Sequence, residues 1–382
     1  MLGPADFGTI TQIMGAATIF YVVAGGGIGA GLMLQVGQIE SEDTRTKWLA
    51  SSIEIALASS VILAAIGLTI YLVAPTALFG VRAPSSIMIG IVLAQIAVGI
   101  GNNIIAYASG IGNVRAFASA NIIGTLVWAT LVVSAALYAD TTSTFWAVAI
   151  APMAIPLVGI FQLRAACLAG LTHLRDFDAQ RRAKLLHAAA YMLMAMVALP
   201  IANLIVRADL AQRIDWIAVG LWQSVARLSD AYMQIFGVMI TNFVFPKLVQ
   251  QSDAAGRHAV LTHIGLALLA LYTLGAISLY LLRSQVLTIA YSQEFLAASS
   301  QIPLQLGADF AKILSWLLVY NIMSTGRLWI QPAAEIWQSI LFVGVYFAIV
   351  GNLNTEAPVY AHATACVILA ATLSVCNWRM RV

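Results

Sequence analysis

The sequence predicts an all-α polytopic membrane protein, and three observations predict it. Of 382 residues, 61% are hydrophobic and 9% are charged, against roughly a quarter charged in a soluble domain. Apolar stretches run unbroken for ~20 residues, the length that crosses a bilayer as a helix. They do not alternate with period two, as the strands of a membrane β-barrel would. Polar residues collect instead in short breaks. With a mean hydropathy of +0.90, the chain has too little polar surface to cover itself in water. A soluble globule, a disordered chain and a nucleic-acid binder are all excluded.

Eleven stretches are long enough to cross: 9–34, 48–73, 86–108, 116–138, 143–162, 186–206, 216–244, 260–282, 303–323, 329–350 and 358–378. The first contains Gly25-Gly-Gly-Ile-Gly-Ala-Gly31. That run has the look of a nucleotide loop, but it lies in an apolar helix and no basic phosphate ligand follows. Close helix packing or a break is the expected outcome. The second stretch follows the polar break Glu40 to Lys47, the fifth follows Asp140 to Thr144, and the seventh follows Arg207 to Asp215. The longest break, about 163–185, reads as a basic loop holding Arg164, Arg175, Arg181, Arg182 and Lys184.

Lys and Arg accumulate on the cytoplasmic side of bilayers. Placing the basic loop there collects Arg45, Lys47, Arg115, Lys247, Arg257, Arg327, Arg379 and Arg381 on the same side, 13 of the 19 cations in all. The other side holds Arg82, Arg207, Arg213 and Arg283. The C-terminus is therefore expected in the cytoplasm and the N-terminus outside. The start, Met1 to Gly8, has no basic region of a signal peptide. Cys167, Cys366 and Cys376 show neither metal spacing nor a disulfide framework, the five histidines form no metal motif, and no metal or cofactor is expected.

The halves resemble each other. Phe7-Gly8-x-x-x-Gln12 compares with Val219-Gly220-x-x-Gln223, and Tyr107…Arg115 with Tyr320…Arg327, at offsets that cluster at 212–213 residues, with Gln12 and Gln223 at 211. A repeat of unchanged orientation holds an even number of helices, here six. Two such halves about an axis along the membrane normal form a transporter architecture. The partner of the helix at 186–206 would lie before residue 1, so the first half is expected to lack its first helix. The expected division is 1–170 as an N-terminal lobe of five helices, 171–185 as a basic linker, and 186–382 as a C-terminal lobe of six.

Two stretches carry a family resemblance. One is Leu199-Pro-Ile-Ala-Asn-Leu-Ile-Val-Arg207, continuing through Trp216-Ile-Ala-Val-Gly-Leu-Trp-Gln223 and Ser229-Asp-Ala-Tyr-Met-Gln234 to Phe245-Pro246. The other is Gln305-Leu-Gly-Ala-Asp309-Phe-Ala-Lys312. With Leu2-Gly-Pro-Ala-Asp-Phe-Gly8 they resemble the Wzx-type polysaccharide flippases of the multidrug/oligosaccharidyl-lipid/polysaccharide exporter superfamily. The resemblance covers nearly the whole chain. It implies twelve helices in a V-shaped pair of six-helix lobes, with the Leu-Gly-Pro stretch following a first helix that is missing here. It also implies alternating access and transfer of an undecaprenyl-pyrophosphate-linked oligosaccharide, such as lipid III or an O-antigen repeat unit. The setting would be the bacterial inner membrane, and the protein a monomer that works beside other polysaccharide assembly proteins.

Ionisable residues at a helix centre cost roughly 2.5–3.5 kcal/mol on insertion scales and mark a bundle interior or a wet cavity. Two helices concentrate them. Gln223, Arg227, Asp230 and Gln234 share one face, and Gln305, Asp309 and Lys312 repeat the spacing with reversed charge order, continued by Trp316 and Tyr320. If these helices are neighbours, Arg227 faces Asp309 and Asp230 faces Lys312. The pairs would then lock one lobe, or Arg227 and Lys312 would line a cavity that attracts pyrophosphate. Arg207 is either an interfacial anchor or an exit-side phosphate contact. Gln331, Glu335 and Gln338 form a third stripe. Glu335, Glu54, Asp230 and Asp309 are candidates for energy coupling or for plain structural hydrogen bonds. Asn102, Asn103, Gln223, Gln305 and Trp222 suit sugar hydroxyls and ring faces, though helix-to-helix bonds explain the amides equally well.

No nucleophile–base pair stands out, so a transporter rather than an enzyme is expected. A drug/cation antiporter of the same superfamily would favour an anionic cavity. A membrane polymerase or glycosyltransferase would need a sizeable outer loop or an acidic catalytic motif.

Overall fold

The computed structural model describes residues 3–380 apart from 26, 75, 77, 81, 82, 175, 177 and 252. Leu2, Gly26, Arg82, Arg175 and Arg381 therefore lie outside the described residues, which contain helices and no strands. The helices of the first half are α1 (Pro4–Ala24), α2 (Gly29–Gly37), α3 (Glu42–Val73), α4 (Ile87–Gly110), α5 (Val114–Tyr138), α6 (Thr141–Ile150), α7 (Ala154–Gln162) and α8 (Arg164–Thr172). Then come α9 (Ala179–Arg213), α10 (Trp216–Met239), α11 (Phe245–Val249), α12 (Ala254–Val260), α13 (Leu266–Leu281), α14 (Arg283–Ala290), α15 (Ile302–Met323), α16 (Ile330–Leu353) and α17 (Ala357–Met380).

Among the described residues, ten helical segments are long and apolar enough to span a membrane. The last of them, Ile330–Arg379, is two helices, α16 and α17, separated at Asn354, which sits at φ 47°. The eleven expected spans are thus present, and the protein is a multi-pass membrane protein. The polar breaks act as N-caps. Asn113, Asp140 and Asp215 accept backbone N–H bonds from Ala116, Ser143 and Ala218 at 3.0, 2.8 and 2.7 Å, which satisfies donors that a helix start leaves open.

Three boundaries differ from the sequence reading. The first stretch is two helices, because Gly27 takes φ +62° between α1 and α2, a conformation that a side chain resists. The break is the glycine run. The helix read as 216–244 continues to Val249 through a π-helical turn at Ile240–Val244, just before Pro246. A proline offers no N–H to the preceding turn, so the ladder there is remade. The basic loop at 163–185 is mostly helical, since α8 fills Arg164–Thr172 and α9 already starts at Ala179.

The chain forms two compact units. One comprises residues 9–204, the other Gly3–Gly8 with Ile205–Val382. The division falls inside α9 rather than in the basic segment at 171–185. In the N-terminal unit, α1, α3, α4 and α6 bury Ile13, Phe20, Leu63, Ile91 and Phe145 in one core. In the C-terminal unit, α15 is central. Ile313 and Leu317 pack on Phe236 of α10 and Tyr272 of α13, while Ala308 and Ala311 meet Ala363, Cys366 and Ala370 of α17. Small residues on both helices let the backbones approach closely.

The two stretches quoted from opposite ends of the repeat meet in that unit. A Cβ on Gly220 would lie 1.8 Å from the Pro4 carbonyl oxygen, and one on Gly8 would lie 2.6 Å from that of Trp216. The Leu-Gly-Pro stretch and the Val-Gly of α10 are a glycine-to-glycine crossing. Phe7 then lies edge-on to Tyr291 and Phe295 at 5.3 and 5.8 Å.

Candidate functional site

Helix α15 carries Gln305, Asp309, Lys312, Trp316 and Tyr320 on one face. Its end nearer the start of the helix meets α10. Asp309 is fully buried. Its carboxylate accepts from Ser229 Oγ at 2.7 Å, from the Tyr232 hydroxyl, and from Gln305 Nε2 at 3.0 Å. Three neutral donors thus satisfy a buried carboxyl group, and Gln305 also bonds Ser229 Oγ at 3.2 Å. The expected pairing of Arg227 with Asp309 and of Asp230 with Lys312 is not formed. Ser229 and Tyr232 occupy the face of α10 that meets α15, one position before and two after Asp230. Sequence reasoning quoted both in the Ser-Asp-Ala-Tyr motif but followed only its charge.

Arg227 and Asp230 pair with each other along α10, at 3.4 Å, with side chains 37% and 54% exposed. The buried Arg227 Nε has no hydrogen-bond partner among the described residues. This loose pair leaves the guanidinium able to take a second anion. Arg207 is not an interfacial anchor: it is 2% exposed and donates to Gln223 Oε1 at 3.3 Å.

The other end of the α15 stripe lines a cavity of about 180 Å³. Lys312, Ser315, Trp316 and Tyr320 face Gln331, Glu335 and Gln338 of α16 across it, with Gly237 of α10 at its edge. Two stripes read from the sequence therefore meet, but the partner of α15 here is the third stripe, not the one on α10. Spacing gives a helical face and does not say which neighbour covers it. Lys312 Nζ lies over the Trp316 ring at 5.4 Å. Gln338 donates to Cys366 Sγ at 3.3 Å, with His362 Nε2 3.6 Å from that sulfur. His362 and Cys366 had no signal in the sequence, because each is a single residue on an apolar helix.

The remaining candidates are engaged elsewhere. Asn103 is 1% exposed and donates to the Ser52 carbonyl at 3.1 Å, which makes it a tie between α4 and α3 rather than a sugar contact. Gln223 and Gln305 are buried in the bonds described, and Trp222 is buried against Phe342. Asn102 is exposed. Glu54 is bonded to Arg182 of α9 at 2.5 Å, a tie within the N-terminal unit. No group of three or more His, Cys, Asp or Glu able to hold a metal occurs among the described residues.

No family model matches the chain. The lipid III flippase of Escherichia coli (strain K12) is 22% identical over 343 residues, covering 89% of this chain and 82% of that protein. The lipid III flippase of Shigella flexneri matches to the same extent. Among solved structures, the inward-facing conformation of a multidrug resistance MATE family transporter of the MOP superfamily superposes with a TM-score of 0.85 at 13% identity. It covers 100% of this chain and 91% of its own. The outward-facing conformation of a MATE family transporter gives 0.64 at 12% identity, covering 99% and 93%. The chain thus shares the fold of these solved structures and, as its motifs implied, is similar along most of its length to lipid III flippases.

Proposed function

We propose that this protein is a flippase. It would move an undecaprenyl-pyrophosphate-linked oligosaccharide, such as lipid III or an O-antigen repeat unit, from the cytoplasmic to the periplasmic leaflet of the inner membrane by alternating access. The observation that carries this reading is the sequence similarity over 89% of the chain to lipid III flippases. The C-terminal unit supplies chemistry that suits the cargo. A pyrophosphate cannot cross hydrocarbon as a bare anion. Arg227, whose side chain is 37% exposed and held only by Asp230, at 3.4 Å, among the described residues, offers the planar guanidinium that suits phosphate oxygens. Lys312 lies in a separate polar cavity with Gln331, Glu335 and Gln338, groups that suit the uncharged polar part of the cargo. The likeness to multidrug transporters, at 13% identity, speaks to fold alone.

Under this reading the C-terminus is cytoplasmic, following the cation asymmetry. The cavity then lies in the cytoplasmic half of the C-terminal unit, because Tyr320 and Gln331 sit near the α15–α16 connection. Cysteines at 178 and 142 test this in intact cells: the first should be protected from a membrane-impermeant thiol reagent and the second labelled. The function is tested by depletion in the host cell. Complete lipid-linked repeat units should accumulate in the cytoplasmic leaflet. Accumulation of incomplete units, or of periplasmic unpolymerised ones, would contradict the proposal.

A further inference from the structure

The cavity between α15 and α16 has walls of both charge signs, and that composition says what it holds. We infer that it is a subsite for a single sugar ring of the cargo, and that the pyrophosphate is bound elsewhere. The inference rests on the flippase reading for the source of the sugar, while the chemistry is local to the cavity.

Charge comes first. A pyrophosphate site is built from cations and N–H donors. Here Glu335 lines the same cavity as Lys312, and neither side chain has an ion-pair partner within 4.0 Å among the described residues. A diphosphate placed against Lys312 would also be placed against a carboxylate, in a setting where water screens little. The repulsion would offset what the ammonium contributes.

A sugar hydroxyl has the opposite requirement, since it donates one hydrogen and accepts through two lone pairs. The ammonium of Lys312 only donates and the carboxylate of Glu335 only accepts. Gln331 does both, while Ser315, whose hydroxyl already donates to the Ala311 carbonyl, can accept. Such a mixture satisfies a ring of vicinal hydroxyls and satisfies no simple ion.

Shape agrees with chemistry. Trp316 adds an apolar wall to the cavity, and Lys312 Nζ, held over its ring at 5.4 Å, places a donor at that wall. The cavity's 180 Å³ is many times the roughly 10–15 Å³ that one water needs on the same measure, room enough for a sugar ring. Behind the wall, the bond from Gln338 to Cys366 Sγ at 3.3 Å orients that amide before any ligand arrives. Arg227 lies ten residues back along α10 from Gly237 at the cavity edge, about 15 Å of helix. Two separated sites on one unit suit a cargo whose phosphates and sugars are themselves separated.

The test is saturation-transfer NMR on the full-length protein in nanodiscs. Glucose, N-acetylglucosamine and glucuronate serve as free probes, with inorganic pyrophosphate as competitor. At least one sugar should receive saturation, and equimolar pyrophosphate should not displace it. Ala334→Trp, which fills the cavity, should weaken the sugar signal about tenfold. Glu335→Lys, which leaves a wall of one sign, should lose the sugar and begin to bind pyrophosphate. No sugar signal, displacement by pyrophosphate, or an unchanged signal in Glu335→Lys would each overturn the inference. Failure here beside intact leaflet transfer removes only the subsite. Sugar binding without leaflet transfer removes the flippase reading instead.

Discussion

The two units use their buried polar groups differently. In the N-terminal unit they reach backbone carbonyls: Gln95 bonds Ser60 at 3.0 Å, Asn103 bonds Ser52 at 3.1 Å, Ser59 bonds Ala24 at 2.7 Å, and Tyr21 bonds Ala149. In the C-terminal unit side chains meet one another around Asp309, and Lys312 and Glu335 face a cavity. A helix carbonyl that already accepts one bond keeps a second lone pair, so the first arrangement ties helices together without burying charge. The second retains ionisable groups in a membrane, at a cost that packing alone would have avoided. Under the proposed function, that difference would make the first unit the scaffold and the second the cargo contact.

The largest expected effect tests that assignment at its strongest point. Asp309→Ala removes the acceptor of three buried donors and should destabilise the C-terminal unit by roughly 3 kcal/mol. A drop in the thermal midpoint in detergent would show it. Asp309→Asn keeps an acceptor, so it should recover most of the loss. If it transports normally, the charge of Asp309 has no part in coupling. Gly220→Ala comes next. Its Cβ would lie 1.8 Å from a backbone oxygen that no rotamer change can move, and size-exclusion profiles should show poorly assembled protein. A monodisperse, fully active Gly220→Ala would refute the glycine crossing.

A smaller effect is expected in the first unit. Gln95→Ala and Asn103→Ala should each cost about 1 kcal/mol and leave transport per folded molecule unchanged. A transport defect without a stability loss would move cargo contact into the N-terminal unit and break the comparison. The smallest effect belongs to Asp178 at the start of α9. A hydrogen bond from the Arg181 side chain, then one from its backbone N–H, holds this carboxyl below the usual carboxylate range. A depressed carboxyl stabilises above its unfolded pKa, and that contribution is lost as pH falls through the folded value. Asp178→Asn should therefore melt slightly lower at neutral pH and coincide with the parent in acid. The site is solvent-exposed, so the gap should be near the limit of detection.

The spans and the faces of their polar stripes were legible because each has a physical period, ~20 apolar residues for a crossing and 3.6 for a face. The break at Gly27 was legible as a glycine run. Helix α8 was not, since Arg164–Thr172 is too short and too mixed in polarity to give a periodic signal. The partner of each stripe was not legible either. Charge complementarity between α10 and α15 was a sound reason to expect ion pairs, yet Ser229 and Tyr232 satisfy Asp309 without a cation. That left Lys312 to meet Glu335 across a cavity.

Leaflet transfer in proteoliposomes tests the central claim most directly. A labelled undecaprenyl-pyrophosphate-linked oligosaccharide is placed in one leaflet, and its appearance in the other is followed by accessibility to a lectin. The parent protein should transfer it well above the rate of empty vesicles, Asn103→Ala should do the same, and Arg227→Ala and Lys312→Ala should fall at least about tenfold at equal reconstitution. A parent no faster than empty vesicles, or Arg227 and Lys312 variants as fast as the parent, would contradict it.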